Sequence, residues 1–325
     1  MNNKFGRVII SCILKKNTLC ICLMTVVFFL VSCGRTASQN SPGLAETYQD
    51  FGNVIVLGVV NDSDPTISGL IHMDTVADNL HVQFANLTQK EHEYILKLFL
   101  DYQETDFYLN EQKHNGYVFS AAAGEELDLV VNLDTDASMD ESHILTAAVL
   151  TAPDTHAKDL DFISNSYGIV MNYELAPAEG ERRINPTQVC REPDVYLELE
   201  YQGIMLNQDY ETEGNSVVYL PPSNITVQPN ETVSLAYRAG NYEKADDILI
   251  LLLLDWKQQQ VNGSPFEYVK NIPGLMSYGT LEFTAPSEPG FYEVTAFVSE
   301  QPYELRNRET FHTSDTSYRF TLTVE

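Results

Sequence analysis

The most constraining feature is a run of nine residues, Ile248–Trp256 (ILILLLLDW). Six consecutive leucines and isoleucines, Leu249 through Leu254, leave no polar position. A strand with one wet face alternates, whereas a strand buried on both faces does not. The run is too short for a confident helix, so it predicts a central strand covered from both sides. A second stretch, Tyr94–Tyr102 (YILKLFLDY), has the same length, the same aromatic ending and an aspartate before it.

These two stretches are part of a repeat. Thr295-Ala296-Phe297-Val298 matches Thr146-Ala147-Ala148-Val149, and Ser317–Glu325 (SYRFTLTVE) matches Ser166–Glu174 (SYGIVMNYE). The three offsets are 154, 149 and 151 residues, in one order, as loop insertions between two copies of one domain produce. Each copy carries about seven or eight short apolar or alternating runs divided by turn residues, which predicts an antiparallel β-sandwich. Asn53–Val60, Tyr117–Ala123, Leu127–Leu133 and Ile144–Leu150 are such runs in the first copy, and Asn115-Gly116 is a turn signal. Ala176–Arg191 is rich in Pro, Gly and charge and reads as a linker. The expected layout is a segment 1–32, a tether 33–47, one sandwich over 48–176, a linker over 177–193 and a second sandwich over 194–325. In the second copy, Pro289-Gly290-Phe291-Tyr292-Glu293-Val294 resembles the lead-in to strand F of immunoglobulin-like domains. The resemblance implies that the Tyr292 hydroxyl bonds back to the preceding corner. In the first copy His143 and Ile144 replace the aromatic pair. The expected fold class is therefore all-β, two tandem immunoglobulin-like antiparallel β-sandwiches.

Ahead of the repeat, Thr18–Ser32 is apolar over 15 residues, roughly 22 Å as a helix at about 1.5 Å per residue. A bilayer span takes about 20 residues, so the run has the length of a signal-peptide core, with Lys4, Arg7, Lys15 and Lys16 before it. It ends in Leu30-Val31-Ser32-Cys33-Gly34, which resembles the bacterial lipobox. The resemblance implies cleavage before Cys33, a lipid (palmitate-type) anchor on Cys33, and an extracytoplasmic chain held at the cell membrane. An uncleaved anchor helix is the other reading, and it places the chain on the same side. Cys190 is then the one thiol left after Cys33, so the mature chain has no intramolecular disulfide and depends on its hydrophobic core.

Charge narrows the partners. After residue 33 there are 15 basic and 46 acidic residues, a net charge of −31. Such a surface repels nucleic acid and anionic polymers. Catalytic signatures are absent from the sequence: no Gly-x-Ser-x-Gly, no His-Glu-x-x-His and no phosphate-binding glycine loop. Asn262-Gly263-Ser264-Pro265 reads as a turn. Two binding constellations stand out. Asp134, Asp136, Asp140 and Glu141 put four carboxylates in one loop, oxygen ligands of the kind calcium takes, although the EF-hand pattern fails at Met139 and Leu145. Tyr102, Phe107, Tyr108 and Tyr117 form an aromatic cluster that, if exposed, stacks on a sugar or a peptide. No cofactor beyond calcium is expected. The functional expectation is a membrane-anchored, non-enzymatic binding or scaffold module of the cell envelope, its partner an envelope protein or extracellular ligand. The alternatives are an accessory lipoprotein subunit of a transporter or envelope complex, and a hydrolase with an acidic cleft.

Overall fold

The computed structural model describes residues 54–159, 168–198, 201–208, 224–309 and 312–325. The signal, lipobox and tether expectations, Cys33 included, lie outside the described residues. Those residues are all-β apart from one short 3-10 turn, Ala157–Asp159. In chain order the strands of the first copy are β1 (Ile55–Asn61), β2 (Leu70–Met73), β3 (Leu80–Asn86), β4 (His92–Leu100), β5 (Gln103–Glu104), β6 (Phe107–Leu109), β7 (Gln112–His114), β8 (Tyr117–Ala121), β9 (Glu126–Leu133), β10 (His143–Thr151) and β11 (Gly168–Pro177). Those of the second are β12 (Val195–Leu197), β13 (Gly203–Asn207), β14 (Asn224–Val227), β15 (Thr232–Gly240), β16 (Asp247–Leu254), β17 (Lys257–Gln258), β18 (Glu267–Lys270), β19 (Met276–Thr284), β20 (Gly290–Glu300), β21 (His312–Thr316) and β22 (Phe320–Val324).

Each copy is a sandwich. In the first, a five-stranded sheet (β1-β3-β9-β6-β7) faces β8, β4, β10 and β11. In the second, a four-stranded sheet (β12-β19-β15-β13) faces β18, β16, β20, β22 and β14. The two inner sheets join through β21, which hydrogen-bonds to both β11 and β20 and makes one 13-stranded sheet.

The apolar run is explained by where β16 lies. Ile248, Ile250, Leu252 and Leu254 point into the core of the second sandwich. Leu249, Leu251 and Leu253 point the other way, into a third apolar layer shared with Ile95, Phe99, Ile144, Ala148 and Val170 of the first copy. β4 divides in the same manner: Tyr94, Leu96, Leu98 and Leu100 fill the first core, and Ile95 and Phe99 fill the shared layer. Both strands are buried on two faces because the sandwiches pack inner sheet against inner sheet.

The repeat is visible atom by atom. Asp101 and Tyr102 turn the chain with φ of 49° and 62°, and Asp255 and Trp256 with 50° and 64°, the paired positive values of a two-residue hairpin turn. The Asp101 amide donates to the Ile144 carbonyl and the Asp255 amide to the Glu293 carbonyl, both at 2.7 Å. Across the shared layer the contacts are reciprocal. The Tyr102 hydroxyl donates to the Pro302 carbonyl (2.7 Å), and Trp256 Nε1 donates to the Pro153 carbonyl (3.0 Å). The Glu104 amide donates to Gln258 Oε1 and the Gln258 amide to Glu104 Oε2. Equivalent residues meeting equivalent residues is the pattern of an approximate two-fold axis within one chain.

The immunoglobulin-like corner is present. The Tyr292 hydroxyl donates to the Glu288 carbonyl at 2.8 Å. At the matching place in the first copy, His143 Nε2 lies 2.9 Å from the Ser138 carbonyl, while its Nδ1 meets Asp101 at 2.7 Å. Histidine thus replaces the corner tyrosine and adds an ion pair. The Asp101 carboxylate raises the His143 pKa, against an opposing effect of burial.

Candidate functional site

The proposed aromatic site is not an exposed surface. Tyr102 and Phe107 are fully buried, Tyr102 in the shared layer and Phe107 in the first core. Tyr117 stacks on Phe119 at the edge of that core, leaving Tyr108 as the member that reaches solvent. The hairpin tip carrying Tyr102 faces solvent in an isolated sandwich; here the second sandwich covers it. The acidic loop also disperses. Asp134 pairs with Lys113 (2.6 Å), Asp140 accepts from the Ser138 hydroxyl, and Glu141 accepts from Asn185. Asp136 shares no contact with them. Among the described residues, no group of three or more His, Cys, Asp or Glu could hold a metal ion. A calcium shell needs its oxygens to converge, and these have separate partners.

A cleft of about 410 Å³ opens instead at one edge of the second sandwich, between its two sheets. Local chemistry builds each wall. Asn262 and Gly263 both have positive φ, 54° and 78°, so the chain reverses at Val261–Ser264 and delivers β18 back onto β16. Asn262 is fully engaged: its Nδ2 donates to the Thr280 carbonyl (2.9 Å) and to Glu267 Oε2 (3.0 Å), and its Oδ1 accepts from the Glu282 amide. Glu267 is thereby fixed at the first position of β18 and buried. Burial raises its carboxyl pKa above the usual range, opposed by the Asn262 hydrogen bond and by Arg191, whose guanidinium stands 3.5 Å away.

The mouth is crossed by the chain from Arg191 to β12. Arg191 bonds to β18 on one sheet, through Tyr268 and Lys270, and Asp194 bonds to Tyr278 of β19 on the other. Glu192, paired with Lys270 and accepting from the Tyr196 hydroxyl, marks the rim and is held below the usual carboxylate range by Lys270. On the floor, Tyr237 of β15 lies across Gly279, its partner on β19; a Cβ at that glycine would come within 2.5 Å of the tyrosine oxygen.

Cys190, next to Arg191 in the chain, is half-buried, and burial pushes its thiol up to about 11, away from the reactive thiolate. Among the residues lining the cleft there is no serine, cysteine or histidine. The cleft offers hydrogen bonds and negative charge on a frame of strands.

No protein-family model matches this chain, and no curated protein matches it. Among solved structures it is similar to a CARDB domain from Pyrococcus furiosus, over 43% of this chain and 95% of that one, with 11% identity and a TM-score of 0.24. It is also similar to red sea bream transglutaminase, over 89% of this chain and 34% of that one, with 10% identity and a TM-score of 0.24. A third likeness is to the C-terminal domain of the Streptococcus pyogenes antigen I/II-family protein AspA, over 83% of this chain and 99% of that one, with 7% identity and a TM-score of 0.24. These likenesses are too distant to bear on function.

Proposed function

We propose that this chain is a lipid-anchored extracytoplasmic protein that binds a partner at the cell envelope and does no chemistry on it. The observation that carries the binding reading is the cleft itself: a concave polar site, fixed by Asn262 and by the crossing segment at Arg191, with no serine, cysteine or histidine in its lining. The anchor rests on the lipobox-like Leu30–Gly34, since a diacylglycerol at Cys33 supplies the two chains stable anchoring takes. The strong negative charge of the chain supports a partner that is cationic or neutral.

The anchor is tested by labelling cells with a palmitate analogue. Label on the wild type, and loss of both label and membrane fraction in Cys33→Ala, is the expected result; label that survives the substitution overturns the assignment. Partner capture is tested by photo-crosslinking from a probe at Tyr108, which reaches solvent. A ligand or several envelope components supports a free binding module. One stoichiometric membrane-protein partner makes the chain an accessory subunit of that complex instead.

A further inference from the structure

We infer that the cleft of the second sandwich binds an organic ammonium or guanidinium group, on either a small free amine or a basic peptide side chain. This names a ligand class for the binding reading above and rests on it.

Three observations converge. First, the sign of the charge: Glu192, Asp194, Glu267 and Glu282 line the cleft against one cation, Arg191. A buried carboxyl such as Glu267 is stabilised in its charged form by a cation brought beside it. Second, Tyr237 is 2% exposed, yet its hydroxyl has no hydrogen-bond partner among the described residues. It lines the cleft and feels the charges of Glu267 and Asp194. The hydroxyl opens on the cleft with its oxygen free to accept, and an N–H donor entering the cleft supplies the partner. Third, two matching positions of the first copy carry bulkier apolar side chains. Leu96 of β4 and Ile250 of β16 are equivalent in the repeat; Tyr117 is the cross-strand partner of the first and Glu267 of the second. Likewise Val82 faces Leu129 where Tyr237 faces Gly279. Tyr117 and Leu129 pack on the first core, so what one copy fills with apolar side chains the other leaves open and polar.

A bare metal ion fits less well, because among the described residues no three acidic or metal-ligating side chains converge. The cleft volume is at the small end for ligand sites and has room for a small amine or a basic side chain with its neighbours.

The test is calorimetric titration of the purified full chain in detergent with three probes: N-terminally acetylated Gly-Lys-Gly amide, the same peptide also acetylated on the lysine Nζ, and 1,4-diaminobutane. Binding of either ammonium probe at millimolar concentration or below, with acetylation weakening the peptide by about tenfold or more, is expected. Binding of the peptide alone assigns the source as a basic side chain, and of the diamine alone as a free amine. Tyr237→Phe, which removes the hydroxyl and keeps the ring, and Glu267→Gln should each weaken binding by about fivefold to tenfold. Near-ultraviolet circular dichroism checks the folding of both; should Glu267→Gln misfold, Tyr237→Phe decides. Absence of binding by both amines, equal binding of the acetylated peptide, or unchanged affinity in Tyr237→Phe overturns the inference. Calcium competing for the same two residues overturns it as well. Failure here leaves the crosslinking result intact, so the ligand class and the binding role stand or fall separately.

Discussion

Tyr102→Phe separates a structural role from a ligand-binding one. Tyr102 is fully buried in the layer between the sandwiches, and its hydroxyl donates to the Pro302 carbonyl at 2.7 Å. The substitution keeps the ring, which meets Phe266 and Tyr303 edge-on, and removes one donor. The Pro302 carbonyl then loses that partner in a site water does not reach, a loss of about 1–2 kcal/mol. At roughly 2–4 °C per kcal/mol for chains of 150–250 residues, and less for a longer one, melting falls by about 2–5 °C. Trp256, the single tryptophan, lies in the same layer and makes the reciprocal bond to Pro153, so its emission reports this layer directly. Urea unfolding followed by Trp256 emission and by far-ultraviolet circular dichroism should give coincident transitions in the wild type, with both midpoints lowered together in Tyr102→Phe. An unchanged midpoint, or an emission change well before the loss of strand signal, would refute the reasoning that this layer is part of one cooperative core.

Three further outcomes follow from the geometry. Gly279→Ala places a Cβ 2.5 Å from the Tyr237 oxygen and 2.7 Å from its Cζ, so it should lower the urea midpoint by about 1–3 kcal/mol in stability and block amine binding. Tyr292→Phe removes the corner bond to Glu288 and should cost about 0.5–1.5 kcal/mol by the same assay. Asp101 raises the His143 pKa, so this pair's stabilisation is complete below the unfolded value of about 6.5 and fades as pH rises through the higher folded value. The stability difference between wild type and His143→Gln should therefore shrink as pH is raised from about 6.5, and a flat difference across that range rejects the pairing.

Much of the fold was legible because its signals are local. Leu249–Leu254 has no polar position, and a strand covered on both faces is the consequence. The duplicated Asp-aromatic pairs, Asp101-Tyr102 and Asp255-Trp256, mark equivalent turns. Tyr292 could be placed by its neighbours alone. The two site expectations fail for different reasons. Tyr102 ends a strand at a turn, where exposure is the default, and only the opposing sandwich buries it. The acidic loop was read from spacing along the chain, but convergence of oxygens depends on side-chain partners such as Lys113 and Asn185 that spacing does not reveal. The cleft had no local signature. It draws on Arg191, Tyr237, Asn262, Glu267 and Gly279, which four separate stretches of chain contribute; the one trace in the sequence is a glutamate, Glu267, set among Phe266, Tyr268 and Val269.

The shared layer also shows why two like sandwiches settle into one arrangement. Leucine and isoleucine on two facing sheets bury similar area after a slip of two residues, so apolar burial alone does not choose the register. The polar groups inside the layer do. Lys97, 2% exposed, pairs with Glu104 and bonds to Asn115, and Glu104 is in turn tied to Gln258 of the other copy. Asn172 accepts from the Thr146 hydroxyl and donates to Ser314, which bonds to Ser299. A slip of one strand step breaks the Glu104–Gln258 bonds and the Asn172 bonds to Ser299 and Ser314, and leaves two buried or half-buried amides short of partners, a penalty of a few kcal/mol. Such groups add little net stability in the correct register, since burying them offsets much of what their bonds return. Their effect falls on the alternatives. The apolar residues provide the affinity of copy for copy, and the Glu104–Gln258 pair and Asn172 fix where the contact occurs.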